Sequence, residues 1–330
     1  MDRLLSSLDY IFHTLTRVQT VTSILGVTAV LSWVAVFASA DTGELQVHFL
    51  DVDQGDAIFI EFPDGRQILI DGGPNDKVVE KLEAVMPFWD RSIDMVIGTH
   101  ADADHISGLV PVFAHYDVDT IFWNGVPAAT EIFKAWQEAV LKEGAEVLVG
   151  EYGMRVVLSK TAFFEIVYPL DLSALAFASP WPKTTPRPLE AQRSEGGGGR
   201  SKDSARPDTW GGVRKGGQNN SSLVIRFVYG DDTFLFTGDI ERQAEYEILS
   251  QNLRLDSDVL KVAHHGSKTS SSELFLERVS PKIAVILSGR SNPYGHPHEI
   301  ILQRLKEYGI KVRRTSEEGD ITLTSNGNSF

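Results

Sequence analysis

Apolar and polar positions along the chain separate an N-terminal segment, residues 1–43, from the body of the protein. Residues 18–40 form a run of 23 without a charged side chain, and a helix of that length can cross a bilayer. Two interpretations compete: a retained signal anchor, or a secretory signal peptide whose Ala38-Ser39-Ala40 ending resembles a cleavage site. We favour the anchor, because the seventeen residues before the run contain acidic as well as basic side chains. A buried core helix is the remaining alternative.

From residue 44 to residue 330, short apolar runs separated by turn residues predict a strand meander that passes into alternating strands and helices. The predicted strands of the first half are 45–50, 57–62, 67–70, 93–97, 120–123, 155–158 and 163–168, and its helices are 76–86, 105–114 and 129–141. In the second half, the predicted strands are 222–229, 233–236, 259–262, 283–287, 312–314 and 321–324, and the helices are 240–250, 272–279 and 297–308. Two such α/β halves facing each other would form one layered sandwich.

The two halves are separated by a segment of different composition. Residues 180–217 are rich in Pro, Gly, Ser and Arg and contain almost no branched apolar residue, which predicts a disordered insertion. Between residues 183 and 215 it carries more basic than acidic side chains. A contact with nucleic acid is one interpretation of this segment, and a solvated tether without a function is the other.

Composition restricts the chemistry that the chain can perform. The chain has no cysteine, which excludes disulfide bonds and thiolate-bound zinc, so any metal must bind to imidazole and carboxylate groups. The formal net charge of −14 argues against a uniformly basic nucleic-acid-binding surface, although a local basic strip is compatible with it.

The strongest local signal is the run His-Ala-Asp-Ala-Asp-His at residues 100–105, directly after a predicted buried strand. Four potential ligands at a strand-to-helix turn can converge on one point, which they cannot do along a straight strand. Two carboxylates about 4 Å apart repel each other by about 4 kcal/mol at an effective dielectric near 20, and divalent cations would remove that cost. The alternative is a solvated acidic turn whose side chains point apart.

Further polar residues follow apolar strands, at the positions where α/β proteins build their sites. Asp71, Asp239 and the pair His264-His265 each come after a predicted strand, and a loop at 295–298 contains His296. Each also has an ordinary structural interpretation. Asp239 is compatible with a helix N-cap, the histidine pair with a satisfied buried pair, and Asp71 with a turn residue. Combined with the 100–105 run, they predict a metal site assembled from several strand ends.

The motifs that contain these residues resemble those of a known protein family. The 100–105 run resembles the HxHxDH signature of the metallo-β-lactamase superfamily, with aspartate in place of the second histidine. More narrowly, the chain from about residue 45 to its end is similar to the C-terminal nuclease-like domain of the competence protein ComEC. The segments that carry this resemblance, in order, are 49–57, 69–73, 100–108, 220–224, 237–241, 264–267 and 294–297. The resemblance implies a four-layer αββα sandwich with the site at one edge of the paired sheets.

The resemblance also implies roles for individual residues. His100 and Asp102 would bind a first metal ion, Asp104 and His105 a second, Asp239 would bridge them, and His265 would complete the second position. His264 is the alternative for that last role. Asp71 would orient ligands from behind. His296, Ser267, His264, Asn220 and Ser221 would lie near the substrate, and His296, Asp104 and Asp71 would take part in catalysis.

The sequence departs from the family pattern in two places. The superfamily usually supplies another histidine between the signature and the bridging aspartate, and here the matching region offers only Asn219, Asn220 and Ser221. This predicts a weakly held first metal ion. Asp53 stands where the family usually has glycine. The carboxylate of Asp102 makes the site harder than imidazole would, which favours manganese or magnesium over zinc without excluding zinc.

The expected function is metal-dependent hydrolysis, with two divalent ions generating a bridging hydroxide that attacks a phosphodiester, most simply DNA. A second possibility keeps the metal site and changes the substrate to a cell-envelope phosphoester, a small ester or a β-lactam. A third is a degenerate, non-catalytic module that binds nucleic acid or protein. We expect the catalytic domain to lie outside the cytoplasm, either held at the membrane by the N-terminal helix or secreted after its cleavage.

Overall fold

The computed structural model of the chain describes residues 16–33, 43–170, 191–193 and 217–328. The chain divides into two units, Met1–Glu44 and Leu45–Phe330. In the first unit, residues 16–33 form helix α1, whose side chains are exposed. Among the described residues, no helix combines the length and the apolar character needed to cross a membrane. Residues 34–40 of the predicted apolar segment lie outside the described residues.

The second unit begins with a seven-stranded sheet. Its strands are β1 (Leu45–Phe49), β2 (Ile58–Glu61), β3 (Gln67–Ile70), β4 (Ser92–Gly98), β5 (Asp117–Trp123), β6 (Glu146–Val149) and β15 (Ile321–Ser325). They lie in the order β15-β1-β2-β3-β4-β5-β6. The pairs from β15 to β3 are antiparallel, and those from β3 to β6 are parallel. The predicted meander therefore forms one half of this sheet, and the strands that alternate with helices form the other.

An eight-stranded sheet has the same division into an antiparallel and a parallel half. Its strands are β7 (Met154–Val157), β8 (Ala162–Tyr168), β9 (Ala191–Arg193), β10 (Val224–Tyr229), β11 (Asp232–Phe236), β12 (Val259–Lys261), β13 (Ile283–Ile286) and β14 (Lys311–Arg314). Their order is β14-β13-β12-β11-β10-β8-β7-β9, with parallel pairing from β11 to β14. Strand β9 lies in the segment that we predicted to be disordered and pairs with β7; residues 194–216 and 180–190 lie outside the described residues.

Three buried apolar clusters explain how these elements pack. One contains side chains from the facing sides of both sheets, such as Phe49, Ile70 and Phe236, so the sheets stack on each other. The other two clusters lie on the outer sides of the sheets and are covered by helices. The helices on the first sheet are α2 (Lys77–Val85), α3 (Ala103–Ile106), α4 (Leu109–His115) and α5 (Glu131–Glu143), and those on the second are α6 (Arg242–Leu249), α7 (Glu273–Val279) and α8 (Glu299–Glu307). A short helix, α9 (Thr315–Glu318), precedes β15. The predicted sandwich of two α/β halves is confirmed.

One predicted helix is divided in two. The periodicity at 105–114 predicts a single helix, whereas the chain forms α3 and α4 with Ser107 and Gly108 between them. The backbone of Gly108 packs directly against the Gly72-Gly73 turn after β3: the Gly108 amide donates to the Gly73 carbonyl at 3.0 Å, and a Cβ on Gly108 would collide with the Gly72 carbonyl oxygen. The turn after β3 and the start of the helical segment are therefore fixed to each other.

Candidate metal centre

Parallel strands of both sheets deliver polar residues to the same edge of the sandwich. Asp71 follows β3, His100 follows β4, Asp239 follows β11, and His264 and His265 follow β12. Most side chains of these strands are apolar and buried, and the polar residues of the site lie at or beyond the carboxyl ends of the strands. The carboxyl ends of neighbouring parallel strands meet at one edge of a sheet, which brings residues distant in sequence together.

A group of four residues forms the centre of this edge. Ligand atoms of Asp104, His105, Asp239 and His265 all lie within 4.8 Å of one another. The Nε2 atom of His265 lies 3.2 Å from Asp104 Oδ2 and 3.3 Å from Asp239 Oδ2, and His105 Nε2 lies 3.4 Å from the same Asp239 oxygen. Nitrogen and oxygen ligands bind a divalent ion at about 2 Å, so separations of this size suit one shared ion.

The imidazoles of His105 and His265 are oriented by groups behind them. His105 Nδ1 donates to Asp71 Oδ2 at 2.7 Å, and His265 Nδ1 donates to the Leu287 carbonyl oxygen at 2.9 Å. Because a carboxylate and a carbonyl can only accept, the proton of each neutral ring lies on Nδ1 and the lone pair on Nε2. Asp71 itself is held by the Thr99 amide and hydroxyl, at 2.8 and 2.7 Å. Asp71 thus lies behind His105 and fixes the direction of its ring.

His100 is oriented by two hydroxyl groups. Its Nδ1 lies 3.1 Å from Thr99 Oγ1 and 3.2 Å from Ser222 Oγ. The Thr99 hydroxyl already donates to Asp71, and the Ser222 hydroxyl donates to the Asn219 carbonyl at 2.7 Å. Neither hydroxyl has a second proton to give, so His100 Nδ1 must be the donor. A third imidazole therefore also presents an Nε2 lone pair.

Unpaired buried atoms show that these residues fit a metal ion. The Nε2 atoms of His100 and His105 are buried and have no hydrogen-bond partner. A buried polar atom without a partner is costly, whereas an imidazole with its Nδ1 proton engaged and its Nε2 lone pair free is the usual form of a histidine ligand. The donor set of imidazole and carboxylate suits zinc, manganese and related divalent ions.

The predicted first metal position is less complete than the second. His100 Nε2 lies 3.5 Å from Asp102 Oδ2, and the Asp102 side chain is 39% exposed. In the parts of the chain that the structure describes, no third histidine or carboxylate joins this pair in a group as compact as the four-residue one. Asp102 and His100 thus lie together, beside His105, whose ring centroid is 4.1 Å from that of His100.

The residues that stand in place of the missing histidine have other contacts. Asn219 Nδ2 lies 3.3 Å from His264 Nε2, and Asn220 Oδ1 accepts from the Glu241 amide at 2.8 Å. The Ser221 hydroxyl donates to the Gln218 carbonyl, and its oxygen accepts from Asn124 at 3.0 Å. The next residue, Ser222, is the one whose hydroxyl contacts His100 and accepts from the Asp239 amide at 3.1 Å. The sequence prediction placed Ser221 near the substrate and did not consider Ser222.

Two charged residues of the centre were not assigned a role from the sequence. Lys261, the last residue of β12, is buried; its ammonium group donates to the Gly238 carbonyl at 2.9 Å, forms an ion pair with Asp56 and lies 3.4 Å from Asp239 Oδ1. Asp56, in the turn between β1 and β2, is also buried and lies 3.3 Å from His265 Nδ1. Two sequence features could have pointed to these residues. Lys261 is a single lysine at the end of an apolar strand that leads into two histidines, and Asp56 lies within the matched segment 49–57.

Charge compensation governs the proton affinities of this centre. Burial alone would lower the pKa values of His105 and His265, but Asp239 and the other carboxylates outweigh it and raise both well above the usual value. Burial would likewise raise the pKa of Asp104, yet the hydrogen bond with His265 and the charge of His105 hold that pKa below its usual range. Burial opposes the charge of Lys261, and Asp56 and Asp239 nevertheless raise its pKa. The excess of carboxylates thus attracts positive charge, which divalent ions would supply.

The backbone at three of these positions is left-handed. Asp71, His264 and His265 have φ values of 57°, 50° and 54°, a region that residues with a Cβ rarely adopt. The two consecutive left-handed histidines send their imidazoles to different partners. His265 reaches the four-residue group, whereas His264 Nε2 stays 3.9 Å from Asp239 and its Nδ1 lies 3.5 Å from Glu241. The geometry thus favours His265 over His264 as the ligand.

The outer side of the centre contains His264, His296 and Ser267. The His296 ring centroid lies 5.5 Å from that of His264 and 6.2 Å from that of His265, and its Nδ1 is buried without a partner. Burial and the neighbouring imidazoles of His265 and His264 lower the pKa of His296 to about 4. The Ser267 hydroxyl lies 3.0 Å from the Thr269 hydroxyl, and its amide donates to the His264 carbonyl. The predicted substrate-side residues therefore border the centre, and their roles stay predictions.

Comparisons with known proteins agree with this geometry. The model of the metallo-beta-lactamase superfamily matches residues 50–122 and 128–290. ComE operon protein 3 of Bacillus subtilis is 28% identical over 297 residues, which is 85% of this chain and 33% of that protein. Competence protein ComA of Neisseria gonorrhoeae is 43% identical over 102 residues, or 31% of this chain and 15% of that protein. This chain spans about a third or less of the length of these relatives.

Similarity to solved structures is more distant. The structure of CmlA from Streptomyces venezuelae, described as a diiron beta-hydroxylase, aligns with 85% of this chain and 54% of that chain, at a TM-score of 0.48 and 12% identity. That level of similarity transfers neither a residue role nor a ligand. The family match covers both α/β halves and every residue of the four-residue group. The chain therefore belongs to the metallo-beta-lactamase superfamily.

Proposed function

We propose that the chain is a metal-dependent phosphodiesterase that hydrolyses DNA with two divalent ions, of which manganese is the first candidate. The observation that carries this proposal is the convergence of three imidazole Nε2 atoms and the carboxylates of Asp104 and Asp239 at one edge of the sandwich. Similarity to a competence protein supports nucleic acid as the substrate. Two neighbouring metal positions suit displacement at phosphorus better than a single position does.

The residues of the centre would divide into a holding set and an orienting set. His105, His265, Asp104 and Asp239 would hold the second ion, and His100 with Asp102 would hold the first. Bound divalent ions supply an activated water molecule and neutralise negative charge on the phosphate. Asp71, Ser222 and the Leu287 carbonyl fix the tautomers of the three imidazoles, so these rings are ready to bind without rearrangement.

His296 is the candidate donor to the leaving oxygen. Because its pKa lies near 4, its ring is neutral at neutral pH and carries one N–H proton. A neutral imidazole can donate a hydrogen bond to a developing alkoxide without adding a positive charge next to the metal ions. Asp104, 33% exposed and hydrogen-bonded to His265, would orient the attacking water.

Location and partners complete the proposal. We infer that the domain acts outside the cytoplasm, attached to the membrane through the apolar segment 18–40 or released by cleavage near Ala40. The basic residues between 183 and 215 would contact the phosphate backbone of the DNA. Removal of each segment tests its role: loss of residues 1–43 should release the protein from membranes, and loss of residues 183–215 should weaken DNA binding.

An assay of the full chain with manganese on single-stranded and double-stranded DNA tests the activity. We expect cleavage by the wild type and at least a hundredfold less by Asp104→Ala, with Asp231→Ala, an exposed turn residue, as the matched control. Equal cleavage by wild type and Asp104→Ala would overturn the proposal. Elemental analysis of the same samples gives the metal identity and the number of ions per chain.

The incomplete His100–Asp102 pair favours one second candidate, a module that binds nucleic acid without cleaving it. Such a module would hold at most one ion per chain and would retain DNA without hydrolysing it. Two ions per chain together with cleavage would exclude it.

A further inference from the structure

A cavity of about 690 Å³ lies beside the metal centre. Its wall consists of residues from the turn before β10, the start of α6, the segment after β12 and the start of α8: Asn220, Glu241, Arg242, Gln243, Lys268, Thr269 and Ile300. Most of these side chains are polar, and none of them belongs to the four-residue group. The metal centre does not account for this cavity.

Two cationic side chains of the wall are available to a ligand. Arg242 and Lys268 are exposed, and neither forms an ion pair within the described part of the chain. The Arg242 guanidinium donates to the Lys268 carbonyl at 3.0 Å, which ties the two segments together and leaves most of its donors free. A guanidinium with free donors beside an ammonium group is a typical arrangement for binding a phosphate.

The first turn of α6 adds backbone donors to the same wall. Glu241 is the N-cap residue of this eight-residue helix, and its side chain makes no cap hydrogen bond. The amide of Gln243, which lines the cavity, donates to no acceptor among the described residues. Free amides at a helix N-terminus, together with the helix dipole, favour an anion.

The side chain of Asn220 also lines the cavity. Asn220 is 2% exposed, and its Oδ1 accepts from the Glu241 amide, whereas its Nδ2 makes no hydrogen bond to the described residues. The Nδ2 group is therefore a donor that remains available to a ligand in the cavity. This side-chain donor is independent of the helix terminus.

The imidazole of His264 separates the cavity from Asp239. His264 Nε2 lies 3.9 Å from Asp239, and on the far side of the same ring Nδ1 lies 3.5 Å from both Glu241 Oε1 and Thr269 Oγ1. The Glu241 carboxylate is the one acidic group of the wall, and it accepts from the Thr269 hydroxyl at 2.8 Å. A substrate lying across His264 would therefore reach Arg242 and Lys268 with a group next to the reacting one.

We propose that this cavity binds the phosphate that neighbours the scissile phosphodiester in a nucleic acid strand. The proposal rests on the proposed function and identifies its substrate as a polymer of phosphodiesters rather than a single ester. Arg242 and Lys268 supply positive charge, and Asn220 and the first turn of α6 supply neutral donors. This subsite selects substrates by their second phosphate.

Kinetics with and without a flanking phosphate test the subsite. We compare bis(4-nitrophenyl) phosphate, which has one phosphodiester, with trithymidylate, in which each phosphodiester has a neighbour. Arg242→Gln and Lys268→Gln should lower kcat/KM for trithymidylate about tenfold more than for the single ester, mainly through KM. Lys142→Gln, which removes an exposed positive charge from α5, is the charge-matched control. Equal effects on both substrates would overturn the subsite.

A binding measurement separates this inference from the proposed activity. Fluorescence anisotropy of labelled hexathymidylate with the full chain needs no cleavage. The double variant Arg242→Gln/Lys268→Gln should bind more weakly and should lower the slope of log affinity against log salt by about one to two. An unchanged affinity and slope would overturn the subsite even if the wild type cleaves DNA. A difference in binding without any cleavage would instead reject the proposed activity and retain the subsite.

Inorganic phosphate distinguishes a strand phosphate from a free ion. Inorganic phosphate should displace hexathymidylate from the wild type. It should no longer do so in the double variant. If phosphate binding depends on Arg242 and Lys268 whereas hexathymidylate binding does not, the cavity holds a free ion and the inference is wrong.

Discussion

The two sides of the metal centre differ in how completely the fold supports them. On one side, Asp104, His105, Asp239 and His265 form a compact group in which three of the four residues are buried. On the other side, His100 lies 3.5 Å from the half-exposed Asp102, and among the described residues this pair belongs to no compact group of three or more potential ligands. Both sides have imidazoles oriented by hydrogen bonds from behind. The difference therefore lies in the number of ligands and not in their orientation.

This difference indicates that the residues that determine metal affinity need not be the residues that determine hydrolytic activity. A position with four ligands, three of them buried, would retain an ion through purification, whereas a position with two ligands would exchange its ion with the solvent. Ligand number and enclosure set metal affinity, and an open coordination position is what catalysis requires. We therefore expect the complete side to determine stability and the incomplete side to determine the metal dependence of activity.

The largest expected effect is that of Asp239→Asn. Asp239 Oδ2 lies within 3.4 Å of both His105 and His265, so the substitution removes the charge that holds the four-residue group together. We expect loss of the tightly bound ion and at least a hundredfold lower phosphodiesterase activity. Elemental analysis and the assay measure both. Retention of the ion with normal activity would show that the four-residue group is not the metal site.

The second effect sharpens the contrast between the two sides. Asp102→Asn should leave the tightly bound ion in place and raise the metal concentration needed for half-maximal activity about tenfold to a hundredfold. Asp231→Asn, which changes an exposed turn residue in the same way, is the control. If Asp102→Asn removes both ions, the two positions are not independent.

The third effect concerns pH. In the metal-free protein burial would lower the pKa values of His105 and His265, but the neighbouring carboxylates raise both above the usual value, so each ring holds a second proton more strongly than a free imidazole does. A metal ion must displace these protons, so affinity at the four-residue group should rise with pH, by up to about a hundredfold per unit while both rings are protonated. Calorimetric titration between pH 6 and 8 measures it. An affinity independent of pH would contradict the protonated pair.

The smallest effect compares two neighbouring serines. Ser222→Ala removes one of the two hydroxyls that fix the tautomer of His100 and should weaken the first metal position a few fold. Ser221→Ala removes hydrogen bonds to Asn124 and Gln218 and should lower the stability of the protein without changing metal affinity. Metal titration and thermal unfolding of both variants separate the two outcomes. Equal losses of metal affinity would show that the Ser222 contact is not specific.

Most of the fold could be predicted because each half has a clear alternation of apolar strands and amphipathic helices. The elements that differ from the prediction depend on tertiary contacts. The helix at 105–114 is divided because Gly108 packs on Gly72, which lies on another strand end. Strand β6 was not predicted. It lies at the edge of its sheet, and all four of its residues are only half-buried.

The site could be predicted to the extent that its ligands lie in short motifs. The residues at 100–105 and the His264-His265 pair are visible as clusters of potential ligands, and their convergence follows from strand ends. Lys261 is not visible in this way, because its function depends on Asp56, a partner from the opposite sheet. Which of the two serines contacts His100 depends on the direction of one side chain in a short turn, and the pattern of apolar residues does not determine that direction.

The pairing of β1 with β15 has a consequence for how the second unit can be joined to other proteins. These strands run antiparallel, with Leu45 opposite Ser325, so the chain enters and leaves this unit at neighbouring points. Domains with adjacent ends can be fused or inserted without rearranging their interior. The architecture is thus well suited to serve as an exchangeable cassette within longer polypeptides, such as the relatives in which the matched region is a third of the length.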